Sequence, residues 1–176
     1  MNIGGQLSQK INLPQIKSVV SWASGSRENL AMLWCFARSD DRQTSMNAIW
    51  GMTHLPETDV KCLVPLRNEM IDMLLAETDT DKKRMLLHLL REQEYAVGDI
   101  RTDFLDYCMS KINSECESYA VRGYCIYAAY KMSRHFPELL SELEEHLDMM
   151  QYQPLSPGLK SALRQTKSKI AKLRKQ

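Results

Sequence analysis

The feature that most constrains the fold of this chain is a recurrence of apolar residues at a fixed offset. Leu33, Ile71, Met109 and Leu147 stand 38 residues apart, and Phe36, Leu74, Ile112 and Met150 follow in the same register. A second set repeats with the same step of 38: Ala48, Leu86, Tyr124 and Ala162, then Ile49, Leu87, Cys125 and Leu163. Apolar residues fill 44 % of the chain, so a single column of four arises by composition alone about 4 % of the time. Four columns in one register point to a repeated structural unit.

The local signals say that the unit is helical. Valine and isoleucine are scarce beside leucine, methionine and alanine, which favours helix over strand. From Thr80, Met85, Leu86, Leu89 and Leu90 fall on one face at helical spacing. From Pro137, Leu139, Leu140, Leu143, Leu147 and Met150 make a stripe with acids opposite. The segment 118–135 is apolar nearly all round, so it is expected to be buried on more than one side. Ser156-Pro157 reads as an N-cap followed by proline at the first helical position, and Pro137 and Pro56 open helices after HF and HL. The spacing predicts helices over 13–23, 26–38, 42–54, 62–76, 80–94, 101–113, 118–135, 137–150 and 157–174, with Pro65 marking either a first turn or a kink in the fourth.

Two helices in each period of 38 residues define an α-solenoid. One helix pair cannot bury both of its apolar faces, so neighbouring pairs stack until a continuous core forms. A plain bundle of similar helices mimics a repeat through amphipathicity alone. Here the loops alternate in step with the period, which favours the solenoid. The expected architecture is an all-α superhelix of about four helix hairpins plus a C-terminal capping helix at 157–174. It forms one domain over 1–176, with residues 1–10 expected to be mobile.

Composition removes several function classes. Lys+Arg is 23 and Asp+Glu 22, for a net charge of +1. That balance argues against a nucleic-acid coat or a polybasic membrane binder, though a local patch remains open. No apolar run approaches the roughly 20 residues of a membrane span. The N-terminal MNIGGQLSQK lacks an apolar secretory core. The cysteines, Cys35, Cys62, Cys108, Cys116 and Cys125, form no CxxC pair. They read as small reduced hydrophobes in a cytoplasmic protein. Neither phosphate-binding glycine loops nor a GxSxG or HExxH motif is present, so no catalytic residue, cofactor or metal site is expected.

Four groups of residues remain as candidates. Glu142 and His146 share a helix face and read as an acid–imidazole pair. His54 and His135 sit in last helical turns, where an imidazole meets the terminal carbonyls. Trp22, Trp34 and Trp50 are core wedges or groove platforms, with core the favoured reading. The basic residues Arg84, Arg122 and Lys160, with the uncharged Met46 one repeat before them, form a further column at 38, which either lines one face with cations or marks a seam between repeats. Residues 156–176 add Arg164 and Lys167 and contain no acid, whereas 137–150 hold five acids and no Lys or Arg. Arg84, Arg122, Lys160, Arg164 and Lys167 are therefore the candidate binding residues.

The run ESYAVRGYCIYAAYKMSRHFPELLSELEEHL followed by SPGLKSALRQTKSKI, with MNAIWGMTHLPETDVKCLVPLRNEMIDMLL and DKKRMLLHLLRE before it, resembles small HEAT-like repeat proteins of unknown function from Bacteroidetes-type bacteria. The matching features are Trp50, Lys83-Arg84 and Phe136-Pro137-Glu138-Leu139, and the resemblance spans roughly 26–172. It implies an armadillo-type α-α superhelix and no transferable catalytic residue. The function expected is a non-enzymatic scaffold that binds a protein or peptide on the face of the second helices. The alternative is a nucleic-acid-binding or repair protein like the HEAT-type DNA glycosylases. A mixed-charge groove favours the first and a continuous cationic groove with exposed tryptophan the second.

Overall fold

A computed structural model describes residues 2–176. Among them the chain is helical and has no strand. The helices are α1 (Ile3–Leu7), α2 (Leu13–Ala23), α3 (Arg27–Ala37), α4 (Arg42–Met52), α5 (Glu57–Lys61), α6 (Arg67–Ala76), α7 (Thr80–Glu92), α8 (Thr102–Ile112), α9 (Tyr119–Ser133), α10 (Pro137–Met150) and α11 (Pro157–Leu173). They divide into two compact units, Met1–Gln93 and Glu94–Gln176.

In the first unit α4 is the hub and packs on α1, α2, α3 and α7. Ala48, Ile49 and Met52 are accordingly sealed from solvent. A helix enclosed this way buries polar groups too, and each finds a partner. Ser45 Oγ donates to the Ala37 carbonyl at 2.6 Å, and Asn47 Nδ2 donates to the carbonyls of Leu7 and Gln9 at 2.8 and 2.9 Å. The second pair ties down α1, an element too short to leave a periodic signal in the sequence. It is capped by Asn2, whose side chain accepts from Gly5 N, and it buries Ile3 and Leu7. The turn between α2 and α3 passes through Gly25 at φ +76, a conformation that a Cβ would strain. Buried Asp59 holds that turn, accepting from Ser24 Oγ at 2.6 Å and Gly25 N at 3.2 Å.

Two elements differ in kind from expectation: α1, which forms where residues 1–10 were expected to be mobile, and the helix expected over 62–76. In place of the latter the chain makes α5, a 3-10 turn at Val64–Leu66, and then α6. Pro65 has no N–H to donate and its ring crowds the carbonyl four residues back, so helix cannot run through it. The other boundaries agree within two residues, with second helices opened by side-chain caps. Asp41, Asp79, Ser118 and Ser156 accept from backbone N–H groups of α4, α7, α9 and α11, recurring every 38 or 39 residues.

In the second unit α9 is the hub, packed on α8, α10 and α11. Val121, Cys125, Ile126, Ala128, Ala129 and Met132 bury several of its sides, as its all-round apolar pattern requires. Of the sixteen residues in the four apolar columns, thirteen are buried; Phe36, Tyr124 and Leu163 are half-buried.

Candidate functional site

The second helices α4 and α7 pack side by side in the first unit and leave a groove of about 270 Å³ between them. Arg42, Gln43, Met46, Asn47 and Trp50 line it from α4, and Asp81, Arg84 and Met85 from α7. The spacings of three and four place each set on one helix face. Met85 is buried and Met46 and Trp50 are half-buried, so the floor is apolar and polarizable. The Trp50 indole is held by His54, whose ring meets it edge-on with centroids 5.9 Å apart and whose Nδ1 lies 2.9 Å from the Trp50 carbonyl. That carbonyl contact is the last-turn role expected for His54.

The rim carries both signs of charge. Arg42 Nε donates to Asp79 Oδ2 at 3.0 Å, and an Arg84 guanidinium nitrogen lies 3.8 Å from Asp81. Burial acts to raise the pKa of Asp79. The Lys82 backbone N–H and the Arg42 guanidinium outweigh it and hold the carboxyl below its ordinary range. Half-buried His88 follows Arg84 one turn along α7, and burial, then the positive charge of Arg91, pushes its pKa down.

The groove joins residues that stand apart in the sequence pattern. Spacing alone sets Arg84 in a column of cations and favours the core for Trp50. Trp34 fills the core role instead, buried and donating Nε1 to Glu69 at 2.9 Å, while Trp22 and Trp50 stay half-exposed. Met85 and Arg42 also line the groove, although neither is among the expected site residues. The signal for them lies in the repeat itself: Gln43 and Asp81, Met46 and Arg84, Asn47 and Met85, and Trp50 and His88 are each 38 apart. Asn47 and Met85 are buried, and the members of the other three pairs are half-buried or exposed.

The remaining candidates lie in the second unit. Arg122 is 3 % exposed, so it presents no cation to solvent. Its Nε donates to the carbonyl of Ile112, the last residue of α8, at 2.8 Å, and its Nη2 to Gln153 Oε1 at 2.6 Å. Column membership does not fix direction: Arg84 and Lys160 are exposed at the same register. Lys167 bonds to Asp148 of α10, and Arg174 to Glu144 at 2.7 Å, which is the attraction expected between the acidic and basic helices. Lys160 and Arg164 point to solvent.

Several local expectations need correction. Glu142 and His146 make no pair; His146 turns to Asn113, with Nδ1 3.4 Å from Nδ2, and Glu142 is exposed. His135 reaches past its own helix end, its Nε2 lying 2.7 Å from the Tyr95 carbonyl, because the segment after Glu94 lies against it. Cys108 and Cys125 are buried, but Cys35, Cys62 and Cys116 are exposed, on an outward helix face and in two connections. A larger hollow of about 540 Å³ near the ends of α3 and α6 is lined by Arg38, Glu69, Glu77 and Lys82. Those charges are spent on Arg38–Glu69 at 3.0 Å and Lys82–Glu77 at 2.7 Å. Among the described residues no three His, Cys, Asp or Glu converge as for a metal, and no helix is long and apolar enough to cross a membrane.

Compared with known families, residues 3–170 match the HEAT repeat domain. No curated protein matches the chain.

Proposed function

The chain belongs to the HEAT repeat domain family, an all-α solenoid and a helical-repeat scaffold, and from that premise we propose that it is a non-enzymatic scaffold that binds a protein or peptide in the groove between α4 and α7. The observation that carries this reading is the composition of the groove. Met46, Trp50 and Met85 offer an apolar floor, and the rim pairs Arg42 with Asp79 and Arg84 with Asp81. Interface centres of this kind take an apolar or aromatic anchor while polar edges fix its register. Because the arginines are matched by acids, the groove lacks the continuous positive field that a duplex requires. That favours the scaffold over a glycosylase-type reading.

The test is a random-peptide display selection on the purified protein, followed by titration of the selected peptides against Trp50 fluorescence. Peptides with an apolar or aromatic anchor are expected, and Met46→Glu with Met85→Gln should weaken them at least tenfold. Selected peptides that bind the double variant equally well refute the groove as the site.

A further inference from the structure

The second unit ends in a helix whose charges are only half used. On α11, Leu159, Ala162, Thr166 and Ile170 face the core. Lys167 and Arg174 mark the edge toward α10, where Asp148 and Glu144 neutralise them. Lys169 leans to the other edge, its Nζ 5.7 Å from the centre of the Tyr130 ring of α9. Helical geometry then leaves Lys160, Arg164 and Lys172 on the outward side, Lys175 follows in the turn after Leu173, and all four are exposed. None has an acid within ion-pair distance among the described residues, and 156–176 contain no acid at all. The other acids of α10, Glu138, Glu142 and Glu145, occupy a stripe about 100° round from its α11-facing edge. They do not offset this face.

Two further observations separate the classes of anionic partner. A protein partner needs an apolar anchor at the centre of its interface. Along α11 itself the outward side carries no exposed large apolar residue; Ser168 and Ala171 lie between the cations, and the exposed Met149 and Tyr152 stand before the helix begins. Phosphate contacts need no such anchor, since the cations themselves supply the affinity. From Lys160 to Lys172 the stripe extends about 18 Å at ~1.5 Å per residue, and Lys160 and Arg164 stand about 6 Å apart along the axis, close to the pitch of phosphates along an extended strand. At the end of the stripe where α10 hands over to α11, Tyr152 is 85 % exposed, a ring with no packing role of its own. Aromatic rings beside a cationic track are how single strands are held without sequence preference.

We infer that the outward face of α11, through Lys160, Arg164, Lys172 and Lys175 with Tyr152 stacking on a base, binds a single strand of nucleic acid by its phosphate backbone. The site lies in the second unit and stands independently of the peptide groove in the first.

The test is fluorescence anisotropy of a labelled oligouridylate against the full chain, with salt titrated. Four phosphate contacts predict a slope of log affinity against log salt of about −3, or a loss of about fiftyfold between 50 and 200 mM. Lys160→Glu with Arg164→Glu should lower affinity more than tenfold and flatten the slope, with the thermal melt unchanged because both side chains are in solvent. Should that pair disturb folding, Lys160→Gln with Arg164→Gln carries the same comparison. Tyr152→Ala should weaken the strand about tenfold while leaving the slope intact. No binding at 50 mM salt overturns the inference, as does binding that the double variant leaves unchanged. Tighter binding of a duplex than of the single strand, or equal competition by polyglutamate of matched charge, overturns it as well.

Discussion

Arg122 offers the sharpest test of how the second unit is held together. It is a guanidinium 97 % removed from solvent with no carboxylate among its partners. Its positive charge instead meets the C-terminal end of α8, where the last carbonyls concentrate negative charge. It also starts a chain of hydrogen bonds. Gln153 accepts from Arg122 and donates to Asn113 Oδ1 at 3.3 Å, and Asn113 donates to the His146 carbonyl at 2.9 Å. One side chain thus links α9, the end of α8, the connection after α10, and α10 itself.

Replacing it with methionine keeps much of the apolar stem and removes both charged hydrogen bonds, leaving the Ile112 carbonyl and Gln153 Oε1 without their donor. Each bond from a charged donor is worth about 1.5–3 kcal/mol. Against that stands the desolvation of a buried cation, which costs several kcal/mol and is relieved by the substitution. The orphaned acceptors decide the balance, at about 1–3 kcal/mol each, so Arg122→Met should lose about 2 kcal/mol. Arg122→Ala should lose about 2 kcal/mol more, from the missing stem at about 0.8 kcal/mol per methylene. Urea unfolding followed by far-UV circular dichroism reads both as a lower midpoint at unchanged slope. An Arg122→Met protein as stable as the parent, or more stable, refutes the reasoning and makes the charge a net burden.

Other perturbations address the first unit. Glu77 and Lys82 form a mostly buried pair at 2.7 Å; burial acts to raise the Glu77 pKa, but Lys82 and the Asp79 and Thr78 N–H groups bring it below 4.5. The depressed carboxyl stabilises the fold above pH 4.5 and loses that contribution as pH falls through its lower folded value, so Glu77→Gln should cost about 1–3 kcal/mol at neutral pH in a thermal melt. For His88 the folded pKa lies below 6.5, so its stabilising contribution is complete above pH 6.5 and is lost on acidification through the folded value. An NMR titration of the His88 ring should therefore show a midpoint below 6.5, and His88→Gln should flatten the stability profile in that window. Trp34→Phe retains a buried ring but abandons the bond to Glu69, for an expected loss of about 1 kcal/mol or more in urea.

Most of the fold was legible because periodicity and capping are local. The columns of 38, the caps at Asp41, Asp79, Ser118 and Ser156, and the helix-opening Pro137 are written in the residues themselves and reappear in the helices. Pro65 was legible as a first turn or a kink, and it stands at the start of the 3-10 turn that leads into α6. The groove was half legible. Its residues sit in the repeat, but the sequence cannot tell a column turned to the core from one that surfaces where α4 meets α7. Arg122 makes the same point: at a register shared with exposed Arg84 and Lys160 it is drawn inward, because the end of α8 happens to present carbonyls there.

What the chain determined unaided is the set of helices and their step, since those follow from backbone propensity, caps and the spacing of oily side chains within a few residues. Tertiary structure alone decided which polar groups face water and which are buried. That outcome depends on distant carbonyls and carboxylates arriving within about 3 Å of a donor, and contacts across such sequence separations leave no mark on local pattern.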